Sequence, residues 1–104
     1  SSSVDEVKLM KMYSYLEKLL ACLGYKREPG IDYEEYILEI TAQDANLKNM
    51  GLEKAVQTIL AVRFGNVKCV DKADITGIIN TIRQVRRYAL KKARGLKKLI
   101  VCLI

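Results

Sequence analysis

Apolar residues recur at helical spacing near the start of the chain. From Val7 onward, apolar side chains return every three or four residues, so they share one face of a helix. Gly24 follows this stripe and can take the left-handed backbone conformation that ends many helices. The pattern predicts a first helix over residues 4–23.

A second apolar stripe predicts the last long helix. Asp71 and Asp74 offer carboxylate oxygens that can cap its first backbone amides, and their charge suits the positive end of the helix dipole. Gly95 can terminate it. The residues of the stripe are Ile75, Ile78, Ile79, Ile82, Val85, Ala89 and Ala93.

Residues 33–41 fit either a strand or a helix. Asp32 and Glu35 can cap a short helix, yet the stretch YILEIT is dense in residues that favour strands. The alternation of Tyr36, Leu38 and Ile40 favours the strand slightly.

Residues 58–70 and 97–104 are ambiguous in the same way. In the middle of the chain, a helix near 46–56 followed by a strand near 58–64 would agree with both the helical and the strand-like patterns of apolar residues. Gly65-Asn66 would then form the turn of a hairpin. The terminal stretch LKKLIVCLI is rich in branched residues and is predicted to be a strand, with a continuing helix as the alternative.

These elements predict a small α+β domain that spans residues 1–104, in the order helix, strands, helix, C-terminal strand. The alternative is an all-α four-helix bundle. At 104 residues, the chain is long enough for one core and is expected to form a single domain.

The α+β order resembles the core of restriction-type nucleases and of tRNA-splicing endonuclease subunits. LACLGYKREPG before a strand and ARGLKKLIVCLI between a helix and a strand are similar to the corresponding joints of those folds. The resemblance implies a divergent or inactive metal-dependent nuclease with Glu39 and Lys68 near its centre. The chain departs from the Glu-x-Lys motif of the restriction type, since its best-aligned triplet begins at Asn66, and it lacks the His of the splicing type.

Charge is distributed unevenly along the chain. The net charge is +6, yet residues 1–74 carry ten Lys or Arg against twelve Asp or Glu. Residues 75–104 carry eight Lys or Arg and no acid. Such asymmetry is typical of proteins that bind a polyanion or an acidic surface.

Four cations of the last helix form one row. Spacing of about 100° per residue puts Arg83, Arg87, Lys91 and Arg94 on the face opposite the apolar stripe. The other cations flank the apolar face or extend the charge past the predicted helix end, and they are Arg86, Lys92, Lys97 and Lys98.

The basic row predicts a protein that binds DNA or RNA through its phosphates, with no chemistry of its own. Cations about 6 Å apart along a helix can follow a phosphate backbone. The alternative is a structural or adaptor subunit of a larger complex that docks on an acidic protein surface. The sequence does not decide whether the protein also forms a homo-oligomer. The position of Tyr88 beside the apolar stripe predicts that it packs at the edge of the core. The alternative is that its ring stacks on a base of the nucleic acid.

Candidate enzyme chemistry is sparse. The chain has no His, which excludes Ser-His-Asp and Cys-His catalysis, and it has no Gly-rich phosphate loop. Cys22, Cys69 and Cys102 are far apart and sit among apolar residues, which is typical of buried thiols in a reducing compartment. We therefore expect no enzyme activity, no metal and no cofactor.

The expected location is intracellular and cytoplasmic. The polar, acidic start of the sequence is unlike a signal peptide, and the longest apolar run is the last six residues. Because about 18 apolar residues are needed to cross a bilayer, we expect no membrane span.

Overall fold

The fold is built from five helices in the computed structural model. The structure describes the backbone of residues 2–65 and 70–95, with side chains for 6–65 and 70–92. The helices are α1 (Ser2–Cys22), α2 (Tyr33–Gln43), α3 (Ala45–Asn49), α4 (Leu52–Arg63) and α5 (Lys72–Gly95).

The α+β prediction is wrong, because the described residues form helices and no strand. The all-α alternative fits, although five helices are described rather than four. The nuclease-like alternative loses its structural basis as well, since Glu39 lies on helix α2 and not on a strand. Lys68 and the predicted strand over 97–104 lie outside the described residues.

The segment 33–41 is helical because its buried positions follow the helical period. Tyr36, Ile37, Ile40 and Thr41 are buried together, which is one face of a helix. A strand would have buried Leu38 on the same face as Tyr36, but the Leu38 side chain is 48% exposed. Packing against α4 therefore overrides the strand preference of these residues.

The predicted strand near 58–64 is also wrong, since α4 continues to Arg63. The predicted helix near 46–56 is divided in two, because α3 ends at Asn49 and α4 begins at Leu52. Gly51 has a positive φ of 78° and separates α3 from α4. Behind it, the Thr81 hydroxyl of α5 donates to the Met50 carbonyl oxygen at 2.8 Å.

The first helix is confirmed. It ends at Cys22, and Gly24 adopts a positive φ of 98°. The Tyr25 amide then donates to the Leu20 carbonyl at 2.9 Å, and the Gly24 amide donates to the Ala21 carbonyl at 3.0 Å. These two bonds satisfy carbonyls at the helix end that would otherwise lack donors.

Helix α4 lies at the centre of the fold, because it packs against all four other helices. Its buried side chains, Leu52, Ala55, Val56, Ile59 and Val62, point to more than one neighbour. The Met50 carbonyl just before α4 accepts a hydrogen bond from Thr81 in the middle of α5, and Ala61 near the end of α4 lies beside Val70 just before α5, so α4 and α5 run antiparallel. At the same end of α4, Arg63 forms an ion pair with Glu6 of α1 at 3.5 Å.

Two glycines should respond oppositely to replacement by alanine. At Gly77 in α5, an added Cβ would meet no atom within 4 Å, so Gly77→Ala should stabilise the fold by about 0.5–1 kcal/mol through helix preference. At Gly51, the left-handed backbone would be strained by about 1–2 kcal/mol, and the Cβ would lie 3.3 Å from Thr81 Oγ1. Urea unfolding of both variants measures this; a stabilised Gly51→Ala variant would contradict the proposed cause of the α3–α4 break.

Candidate nucleic-acid interface

Helix α5 presents the candidate interface and is built as its sequence predicts. Asp71 precedes it, and its Oδ1 accepts the Asp74 amide proton at 2.8 Å, which confirms the predicted cap. Ile78, Val85 and Ala89 are buried against the core. Because these residues recur at helical spacing, the opposite face of α5 points away from the core.

The outward face of α5 carries the predicted cations. Arg83, Arg87 and Lys91 are all exposed, at intervals of four residues, and Arg86 is exposed beside them. Two ion pairs occur among the described side chains, and neither involves α5. The positive charge of this row is therefore not neutralised by any described carboxylate.

Lys92, one of the cations outside the row, makes a contact within the molecule. Its ammonium lies 4.9 Å from the centre of the Tyr88 ring, a cation–π contact within the molecule. The side chains of the other three predicted phosphate-binding cations, Arg94, Lys97 and Lys98, lie outside the described residues, so their contribution stays a prediction.

Asp44 anchors α5 to the rest of the fold. Asp44 is 7% exposed, and its carboxylate accepts four hydrogen bonds. Oδ1 accepts the backbone amides of Asn46 and Leu47 at 3.1 and 3.2 Å, which caps α3. Oδ2 accepts the hydroxyls of Tyr25 at 3.1 Å and of Tyr88 at 3.0 Å.

Those four bonds control the protonation of Asp44. Burial raises the pKa of a carboxyl group because it disfavours the charged form. Here the bonds from two amides and two hydroxyls outweigh burial, and the pKa of Asp44 is lowered below its ordinary value. Asp44 therefore stays ionised at neutral pH and holds its donors as a charged acceptor.

Tyr88 has a structural role. Its hydroxyl donates to Asp44 and accepts from Asn46 Nδ2 at 3.4 Å, while Lys92 covers its ring. The ring packs at the edge of the core, as its position beside the apolar stripe indicates. The sequence did not indicate this role for Asp44, because its partners Tyr25 and Tyr88 are 19 and 44 residues away.

The described side chains offer no metal-binding cluster of three or more His, Cys, Asp or Glu. In the same part of the chain, no helix is both long and apolar enough to cross a bilayer.

Fold and surface together define a small helical domain with an unneutralised basic face. No known protein family matches this sequence, and no curated protein or solved structure matches it either. Its function must therefore be argued from its own residues.

Removing the Tyr88 hydroxyl should loosen the anchor of α5. Tyr88→Phe deletes one hydrogen bond to a charged, buried acceptor, which should lower the free energy of unfolding by about 1–3 kcal/mol. Tyr15→Phe is the matched control, because Tyr15 is exposed and its hydroxyl forms no hydrogen bond with the described part of the chain. Chemical denaturation measures both; equal stability of Tyr88→Phe and the wild type would show that the Asp44 bond contributes little.

Acidification should destabilise the fold partly through Asp44. The pKa of Asp44 is lower in the folded protein than in the unfolded chain, so its ionised form stabilises the fold. This contribution to the free energy of unfolding is complete above the unfolded carboxyl pKa of about 3.9. It is lost as the pH falls through the lower pKa of the folded state. Asp44→Asn should be less stable than the wild type at pH 7, and the difference should shrink below about pH 4. Unfolding curves at pH 7, 5, 4 and 3 test this, with exposed Glu39→Gln as the control. A difference that stays constant with pH would contradict the prediction.

Proposed function

We propose that this domain binds nucleic acid through the outward row of α5 and carries out no chemistry of its own. The observation that supports this proposal is the row of Arg83, Arg87 and Lys91, which are exposed on one face of the helix. None of the three forms an ion pair with an Asp or Glu among the described side chains. A phosphate backbone is the ligand whose charge and repetition suit such a row.

The repulsion within the row supports a polyanionic partner. Like charges four residues apart destabilise a helix by a few tenths of a kcal/mol per pair, and α5 has no Asp or Glu after Asp74 to offset them. Most solvated helices place acids among their cations for this reason. A bound polyanion would remove the repulsion and release counterions from its own phosphates.

The proposed contacts are to phosphates rather than to bases. Lys and Arg reach phosphates without reading sequence, so affinity should depend weakly on sequence. Tyr88, the aromatic residue beside the row, already contacts Asp44 and Lys92, so we do not expect its ring to stack on a base. Lys97, Lys98 and Arg94 would add phosphate contacts if they continue the basic surface.

A salt titration of binding tests the proposal. Labelled single- and double-stranded DNA and RNA of mixed sequence are titrated with the protein between about 50 and 200 mM salt. The logarithm of the affinity should fall steeply with the logarithm of the salt concentration, with a slope near −0.9 on duplex DNA and about −0.7 on single strands for each phosphate neutralised. Replacing Arg83, Arg87 and Lys91 together by Gln should flatten that slope by about two to three.

A matched control separates the row from net charge. Lys8, Lys26 and Lys54 are exposed on three different parts of the fold, and replacing all three by Gln removes the same charge. This control should change the slope by much less than the α5 variant does. Equal slopes for both triple variants would overturn the proposal, and binding to acidic proteins but to no nucleic acid would favour the adaptor alternative.

A further inference from the structure

A groove between α2 and α4 has a character opposite to that of α5. Its volume is about 290 Å³, and no described side chain of α5 lines it. Its apolar lining comes from both helices and comprises Ile37, Leu38, Val56, Leu60, Ala61 and Phe64.

Two large apolar side chains of the groove remain open to solvent. Leu38 is 48% exposed and Phe64 is 61% exposed. Leu38 lies on α2 and Phe64 directly follows α4, yet both line the same groove, so the exposure is one patch and not two isolated side chains. Contiguous apolar surface with polar edges is typical of protein-binding sites.

Among the described residues that line the groove, every charged one is acidic. Asp32 and Glu34 stand at the start of α2, and Glu53 stands at the start of α4. Thr41 at the end of α2 donates to Glu53 at 2.6 Å, and Asp32 just before α2 lines the same groove as Phe64 just after α4, so the two helices run antiparallel. The acids therefore lie at opposite ends of the apolar lining, in a chain whose net charge is +6.

We propose that this groove docks an amphipathic helix of a partner protein, in which aliphatic side chains are flanked by Lys or Arg. The aliphatic residues would cover Leu38 and Phe64, and the cations would meet the carboxylates at the two ends. A groove between two packed helices accepts a third helix in the usual manner of helix-in-groove recognition. The proposal uses none of the residues assigned to nucleic-acid binding.

Other occupants fit these observations less well. The basic face of a second copy would satisfy the acids, but its exposed residues Arg83, Arg87 and Lys91 have no apolar side chain to fill the groove. A nucleic acid would be repelled by the three carboxylates. An acidic partner would be repelled in the same way.

The test uses two synthetic peptides and the full chain. One is an 18-residue peptide of Leu and Lys at helical spacing, and the other has Glu in place of each Lys. Fluorescence anisotropy should show binding of the Leu/Lys peptide, weakened about tenfold or more by Phe64→Ser and by Glu34→Lys. The side chains of Phe64 and Glu34 are exposed, so the fold should tolerate both substitutions.

Two control variants complete the design. Val7→Ser removes an equally exposed apolar side chain, and Glu39→Lys makes the same charge change on α2 outside the groove. Neither should change the affinity for the Leu/Lys peptide by more than about twofold. The proposal is overturned if Phe64→Ser leaves that affinity unchanged, or if the Leu/Glu peptide binds with the same dependence on Phe64. Dimers that dissociate on Phe64→Ser would overturn it too, because a second copy would then be the occupant.

Discussion

The arrangement of the helices depends on the carboxylate of Asp44. A carboxylate has about four lone-pair sites, and here each is taken, by two amides and two tyrosine hydroxyls. Those donors come from three separate places: the connection after α1, the start of α3 and the last third of α5. An ionised group buried this far is costly unless its hydrogen bonds are complete. The charge of Asp44 is therefore tolerated only in the arrangement that brings all four donors together.

The same anchor explains how α5 can carry a face that contributes nothing to packing. Thr81 joins the middle of the helix to the Met50 carbonyl, and Tyr88 joins it to Asp44 two turns later. Between and beyond these bonds, Val85 and Ala89 are fully buried. Because the inward face supplies this much attachment, the outward face is free to hold several unpaired cations, whose mutual repulsion amounts to a few tenths of a kcal/mol per pair.

Local signals in the sequence predicted the two long helices, but contacts between distant residues determined the rest. Asp71 and Gly24 act within one helical turn of themselves, so their roles could be read directly. Tyr36 and Ile37 favour strands as isolated residues, and only packing on α4 makes them helical. The exposed row of α5 followed from spacing alone. The bonds of Asp44 and the acidic groove could not be predicted, because each joins helices that are adjacent only after folding.

Separation of charge between α5 and the α2–α4 groove affects how a polyanion would approach. A chain with a net charge of +6 attracts polyanions over its whole surface. Asp32, Glu34 and Glu53 oppose that attraction at the groove, whereas Arg83 and its neighbours reinforce it on α5. Complementary charge orients an encounter more than it strengthens the final complex. The acids would thus direct a polyanion to α5 and leave the apolar groove open, so the two proposed ligands would not compete for one surface.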